Sequence, residues 1–254
     1  MKTFTNSTFF FKFTKIYVII QKNRIIQGCK NMEIKPIAYI RNDYKDKFAV
    51  PRQSGIVKEI KSKIIFEKDY SDSASVKGLE AYSHLWLIWG FSKNIRENYS
   101  LTVRPPRLGG NERVGVFASR SPYRPNNLGL SSVKLEKINA NSQDISLIVS
   151  GADLMDGSPI YDIKPYIAFS DCHTDAKSGI ADTRAFNLLH VKINDELLSK
   201  LSDDEIRIIT AILENDPRPA YQNDSKRIYG FKFSNYEIKF QVKENDLTVV
   251  DIHR

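Results

Sequence analysis

From Ile34 to Phe169 the chain is cut by turn residues into short β-type runs, and this pattern excludes most architectures other than a barrel or a sandwich. Leu85–Phe91 reads Leu-Trp-Leu-Ile-Trp-Gly-Phe, an almost unbroken apolar run that predicts a strand buried on both faces. Ile64–Phe66 and Val114, Val116 and Phe117 predict two further short strands. Leu128, Leu130, Val133 and Leu135 predict a strand whose register shifts near Ser131, whereas Ile145, Leu147 and Val149 alternate cleanly. A short helix is expected within Asp72–Leu79. No helical crossover of the right length separates these runs, so repeated βαβ units are excluded.

Beyond them the pattern changes. Residues 173–186 are small and polar, as in a linker. Ser202 and Glu205 then form a capping box for a helix whose inner face carries Ile206, Ile209 and Leu213, and Pro217 ends it. A meander follows through Tyr229–Phe233, Tyr236–Val242 and Val250–Ile252. The expected organisation is mainly β: a small β-barrel over 32–172, a linker over 173–186, and a small α+β domain over 187–254. Residues 1–31 are expected to lie outside the fold. Lys12 and Lys15 interrupt their apolar run, which argues against a secretory or membrane-spanning segment, and Met32 opens directly into structured sequence. The cytoplasm is the expected compartment.

Charge needs apportioning before it is read. The formal net charge is +8, but 1–31 hold six basic residues and no acid, which leaves +2 for everything after them. A polyanionic partner would therefore have to be met by local clusters. Two distant cysteines and four scattered histidines give no metal-ligand spacing, so no metal is expected.

Four segments stand out chemically. Arg104–Asn127 carries five arginines, one acid and no lysine, among prolines that stiffen it and glycines that let backbone approach a ligand. Forked guanidinium groups on rigid loops suit phosphate or carboxylate; the alternative is a solvated loop with ordinary ion pairs. Pro51-Arg52-Gln53 follows Phe48 and Val50 in an early loop. Asp153-Leu154-Met155-Asp156-Gly157 pairs two acids beside a glycine, a turn that can also hold hydroxyl or ammonium groups or accept a proton. Asp162-Ile163-Lys164-Pro165-Tyr166 adds a charged pair before a proline. No Rossmann fingerprint, P-loop or nucleophile elbow is present.

Taken in order, these segments and the Gly78–Leu87 run resemble the TrmO (TsaA-like) family of tRNA methyltransferases, and Asp216–Tyr221 extends the likeness to the second domain. The chain departs from the family at Asn126-Asn127-Leu128-Gly129, where a proline is common. The resemblance implies a homodimeric barrel that binds S-adenosylmethionine and methylates N6 of the threonylcarbamoyladenosine beside the anticodon. It places the cofactor against Pro51, Arg52, Gln53, Ser92, Lys93, Arg120, Leu130, Leu154, Met155, Asp156 and Gly157. Asp153 and Asp156 are the candidates for ribose contact or proton acceptance. Arg104, Arg107 and Arg124 are candidates for the threonyl carboxylate and the anticodon loop, with Tyr123 stacking on an everted base. The rival readings are a non-catalytic RNA- or nucleotide-binding barrel, which would not bind the methyl donor, and a phosphate-directed hydrolase, for which no nucleophile or metal set exists.

Overall fold

The computed structural model describes residues 33–92, 98–105, 112–141, 144–179, 188–218 and 224–254. By contact the chain divides into Met1–Lys35 and Pro36–Arg254, and the second unit is the one described below. The expected extension 1–31 and positions 180–186 of the expected linker lie outside the described residues.

Strands β1 (Ala38–Arg41), β2 (Lys61–Phe66), β3 (His84–Gly90), β4 (Thr102–Val103), β5 (Val114–Gly115), β6 (Leu128–Asn141), β7 (Asp144–Ser150) and β8 (Pro159–Pro165) make up the first part. Six of them close a barrel in the order β1-β2-β7-β6-β3-β8, every pair antiparallel, while β4 and β5 form a separate ladder. Closure leaves no unpaired edge. Period-two alternation fills the interior: Ile40, Ile64, Leu85, Leu87, Ile145, Leu147 and Ile160 are fully buried.

The topology decides where the loops go. In an antiparallel ring, the ends of β1, β3 and β7 and the starts of β2, β6 and β8 all meet at one rim. The β1–β2 loop, the β7–β8 turn and the long connection from β3 to β6 therefore share that rim, although they span more than a hundred residues of sequence.

Four expectations need correction. Val116 and Phe117 lie in a 3-10 turn, Val116–Ala118, which leaves only Val114–Gly115 as strand. Leu85–Phe91 is not buried on both faces: Leu85, Leu87 and Trp89 point inward, while Trp86 and Ile88 on the outer face are half-buried, because a single small barrel has no second layer to cover it. Trp86 is partly covered by Tyr166, at 5.5 Å between rings, and donates to Asp171 at 2.9 Å. The register shift of β6 falls between Leu135 and Lys137, not at Ser131, which continues the inward alternation as a buried polar residue. Asp72–Leu79 forms 3-10 turns, and Asp72 caps the turn at Ser73–Val76 by accepting from the Ala74 amide.

Helix α1 (Ala168–Asp171) follows the barrel; then come β9 (His190–Lys192), α2 (Asp195–Leu198), α3 (Asp203–Glu214), β10 (Tyr229–Phe233), β11 (Tyr236–Lys243) and β12 (Asp246–His253). The meander β10-β11-β12 gains β9 as a parallel edge strand that the sequence pattern did not reveal. The Ser202–Glu205 capping box forms as expected. Ile209, Ile212 and Leu213 are the buried face of α3, and Ile206 is only half-buried in its first turn. The core of this sheet also takes in Tyr44, Ala49, Val57 and Ile60 from the β1–β2 loop, so the loop is clamped between barrel and sheet.

Gly129 illustrates how tightly the barrel end is filled. A Cβ there would lie 2.4 Å from the Trp89 indole. Overpacking of this kind costs roughly 1–3 kcal/mol, so Gly129→Ala is expected to lower the urea-unfolding free energy by about that amount and to shift tryptophan emission. An unchanged midpoint would show that Trp89 has room to move.

Candidate active site at the barrel rim

Asp153 leaves the end of β7 and turns back over the barrel mouth. Its Oδ1 accepts from the Ser131 hydroxyl, which in turn accepts from Trp89 Nε1 at 2.9 Å. Burial pushes the Asp153 carboxyl above the usual carboxylate range, against the pull of Ser131, backbone amides and the Arg120 charge. The β1–β2 loop is pinned beside it, because Gly55 N–H donates to Gly151 O at 2.8 Å and Gly151 adopts a φ of +76°. A Cβ on Gly151 would also press on Gly55 backbone at 3.2 Å, so the turn needs glycine twice over. Gln53 is thereby brought to Arg120, whose Nη1 donates to Gln53 Oε1. Gln53, Arg120, Ser131 and Asp153 form one polar cluster drawn from three loops and a strand. The hydroxyl of Tyr44, fully buried beneath them, has no partner among the described residues, and burial first and the Asp153 charge second raise its pKa.

Asp156 faces another way. Its carboxylate pairs with Lys45 at 2.7 Å and accepts from Asn42 N–H at 3.1 Å. Burial opposes ionisation there too, but Lys45 and Asn42 outweigh it and hold the carboxyl below its ordinary value. Gly157, at φ +77°, donates to Ile40 O at 2.8 Å and closes the turn against β1. Leu154 belongs to the barrel core, completely buried, and offers only its carbonyl, which already accepts from Asn42 at 3.0 Å. Leu130, by contrast, is 56% exposed on the outer side of β6.

The remaining candidates divide. Pro51 is buried and Met155 half-buried. Arg52 reaches away from the cluster, donating to the carbonyls of Asp216 and Arg218 at 3.0 Å each. That contact joins two of the sequence motifs, and Asp216 grips Arg218 with two bonds of 2.8 Å. Ser92 is exposed at the same rim, just past the end of β3. Arg124 spends one arm on Ser119 O at 3.0 Å and Arg113 one on Thr102 at 2.9 Å. With Asn127 donating to Pro122 O at 2.6 Å, these bonds stiffen the arginine loop from within. Tyr123 is half-buried in that loop and Arg104 exposed at the end of β4. Lys93 and Arg107 lie outside the described residues. Sequence reasoning missed Ser131 and Tyr44; an inward serine in an alternating strand was the available signal for the first. Among the described residues no group of three His, Cys, Asp or Glu can hold a metal, and no helix is long and apolar enough to cross a membrane.

Fold and site together define a small-barrel protein with a polar ligand site at one rim, built without a Rossmann nucleotide fold. The chain belongs to the tRNA-methyltransferase O family: residues 39–172 match its N-terminal domain and 187–254 its C-terminal domain. It is 36% identical over 222 residues to the tRNA (adenine(37)-N6)-methyltransferase of Escherichia coli, covering 84% of this chain and 94% of that protein. The Pseudomonas aeruginosa protein RcsF, whose name refers to S-adenosylmethionine-dependent methyl transfer, is 36% identical over 228 residues, 86% of this chain and 96% of its own length. The crystal structure of TrmO from Pseudomonas aeruginosa superposes with a TM-score of 0.70 at 28% identity, covering 89% of this chain and all of that one.

The two carboxylates should titrate stability in opposite senses. Asp153 has a folded pKa above its unfolded one, so its ionisation costs stability as pH rises from the ordinary carboxylate range through the folded value. Asp156 has a lowered one, so its contribution is present above the unfolded pKa and is lost as pH falls through the folded value. Urea midpoints should therefore show Asp153→Asn gaining on the wild type as pH rises above the ordinary carboxylate range, and the deficit of Asp156→Asn, constant there, closing as pH falls below that range. Parallel curves for the two variants would refute this division of environments.

Proposed function

We propose that the protein methylates N6 of adenosine 37 in tRNA, using S-adenosylmethionine, and that its substrate adenosine carries a threonylcarbamoyl group. The observation that carries this reading is the rim cluster: a half-buried carboxyl whose pKa is raised, beside an arginine and a carboxamide, in a family whose relatives bear that name. S-adenosylmethionine presents an ammonium, a carboxylate, ribose hydroxyls and a sulfonium, and the donor and acceptor set of the cluster fits these groups. Arg120, held by Gln53, would take the carboxylate. Leu130, Met155 and Ser92 would line the nucleoside, with Lys93 completing the cation set. Pro51, Leu154 and Gly157 shape the loops, and Arg52 fixes one of them to the C-terminal sheet.

When bound, the cofactor supplies an electrophilic methyl carbon whose bond to sulfur breaks as the N6 lone pair attacks it, the bonding electrons returning to sulfur. The protein's own work is alignment, exclusion of water and removal of one proton. The N6–H beside a carbamoyl carbonyl is more acidic than in plain adenosine, so a base of modest strength suffices. Asp153 is that base in this proposal. Its raised pKa moves it toward neutral pH, where an acceptor works best, and Ser131 and Trp89 hold its other side. Asp156 shapes the turn through Lys45 and does not touch the proton. Arg104, Arg107 and Arg124 would meet the threonyl carboxylate and the anticodon loop, with Tyr123 stacking on the extruded base.

Leu101 and Phe117 are more than half exposed on the segments that lead to the site. We read them as the contact of a homodimer acting in the cytoplasm, where tRNA resides. The division into a barrel over 32–172 and a second domain over 187–254, with 1–31 outside the fold, belongs to the same proposal.

Incubating the protein with labelled S-adenosylmethionine and tRNA with or without the threonylcarbamoyl group, followed by nucleoside analysis, tests it. Label is expected on N6 of the modified nucleoside alone, and Asp153→Ala is expected to slow transfer by about 10²–10⁴-fold without abolishing tRNA binding. Calorimetric titration showing no affinity for the methyl donor would turn the reading to a non-catalytic RNA-binding barrel.

A further inference from the structure

The arginine loop that sequence alone marks as the polyanion site spends part of its charge internally. Arg124, Arg113 and Arg120 each commit an arm to a carbonyl, a hydroxyl or a carboxamide of the protein itself. Phosphate contacts need cations that are not so engaged. Such cations lie on the outer face of β1 and β2, where the exposed side chains of Arg41, Lys61 and Lys63 make no hydrogen bond or close ion pair among the described residues, Arg41 and Lys61 feeling only the longer-range attraction of Asp156 and Glu136. Arg41 and Lys63 are direct cross-strand partners. Like charges placed opposite one another in an antiparallel pair repel, and the arrangement is destabilising unless an anion lies between them.

These side chains line one open groove with Lys45, Asp43 and Asp156. Asp156 is already neutralised by Lys45, so the groove keeps a clear positive excess in a protein whose body carries only +2. The groove also opens at the right end of the barrel. Arg41 ends β1 and Lys61 begins β2, both at the rim that bears the site. The same turn that carries Asp153 carries Asp156 into the groove wall, and three residues span at most about 11 Å. Arg41 Nη1 lies 3.4 Å from where a Cβ of Gly157 would be, so the glycine lets this cation lie flat against the turn.

We propose that this groove takes the phosphate backbone of the substrate tRNA immediately beside the reacting nucleotide, an assignment that rests on the tRNA-methyltransferase reading above. An RNA strand supplies a row of anions with regular spacing, which suits cations set at alternate positions of one strand and across to the next. The groove positions the strand and reads no bases.

The test uses the full chain and a fluorescent anticodon stem-loop, with affinity measured from low to moderate salt. Lys61→Gln/Lys63→Gln is expected to weaken binding at least tenfold at low salt and to flatten the log–log salt slope by about 1.5, the value for two lost phosphate contacts. Lys61→Arg/Lys63→Arg should bind as the wild type does, showing that charge and not fold is at issue. Lys68→Gln/Lys77→Gln, which removes the same charge from the turns between β2 and β3, should leave the slope unchanged. Affinity within twofold of wild type and an unchanged slope for the Lys61/Lys63 variant would overturn the proposal, and so would an equal loss in the Lys68/Lys77 control. A polyglutamate peptide that binds through Lys61 and Lys63 while RNA binding ignores them would assign the groove to an acidic protein and overturn it too. Binding is read without turnover, so the two readings can fail separately. RNA held in the groove by a protein that transfers no methyl group supports the groove and sinks the activity. Methyl transfer with binding indifferent to Lys61 and Lys63 does the reverse.

Discussion

The seam between β1 and β8 is the junction on which the site depends. Only Ala38–Ile160 and Tyr39–Pro159 are paired there as strand residues, the shortest contact in the ring. Hydrogen bonds then carry the seam past the strand ends: Ile40 N–H donates to Ser158 O, Gly157 N–H to Ile40 O and Asp156 N–H to Tyr44 O. Barrel closure and placement of the β7–β8 turn are thus one act. Because the turn is tied to β1 through backbone, with the Asp156 side chain adding its bonds to Asn42 and Lys45, Asp153 is left free to take a different environment.

They differ by environment alone. Both are aspartates of the same five-residue turn, yet one stands over the mouth of an apolar barrel and the other against a lysine at the edge of a basic groove. Burial opposes the charge of each. At Asp156 a full ion pair and a backbone amide reverse that effect; at Asp153 the Ser131 hydroxyl, backbone amides and the Arg120 charge do not. Two carboxyls whose pKa values are driven apart within one turn are the arrangement expected where one group handles a proton and its neighbour holds the scaffold.

Much of this was legible in the residues. Alternation in Ile145, Leu147 and Val149 and the capping box at Ser202 are local signals, and both elements formed where those signals lay. The four chemical segments were legible as unusual, but not as neighbours, since strand order in a ring is set by long-range pairing that no local pattern encodes. Leu154 shows the limit at single-residue scale. Family resemblance places it against the cofactor, its side chain packs in the barrel core, and nothing in the sequence separates an apolar residue that lines a site from one that floors it. Arg52 makes contacts that are equally hidden from sequence. Its partners are backbone carbonyls of Asp216 and Arg218, more than 160 residues away, and carbonyls carry no sequence signature. Likeness to a family supplied what periodicity could not, by binding distant segments into one expectation.

The C-terminal sheet is part of the site's architecture as well as an appendage to it. Two contributions hold the β1–β2 loop against the sheet, and magnitudes rank them. Hydrogen bonds such as those from Arg52, an exposed side chain, contribute on the order of 0.5–1.5 kcal/mol each. Burying Val57 and Ile60 contributes roughly 1.5–3 kcal/mol apiece relative to exposure, and Tyr44 adds an aromatic edge contact with Phe233 at 6.3 Å between rings. The shared apolar core therefore dominates, and Arg52 fixes the loop's direction more than its attachment. A loop anchored in this way loses its floor if the sheet is removed, and Gln53 and Ser54 are then held at Asp153 only through the Gly55–Gly151 bond and the contact of Gln53 with Arg120. The position of the polar cluster is set from both sides, by the barrel through Gly151 and Ser131 and by the sheet through Tyr44, Val57 and Ile60.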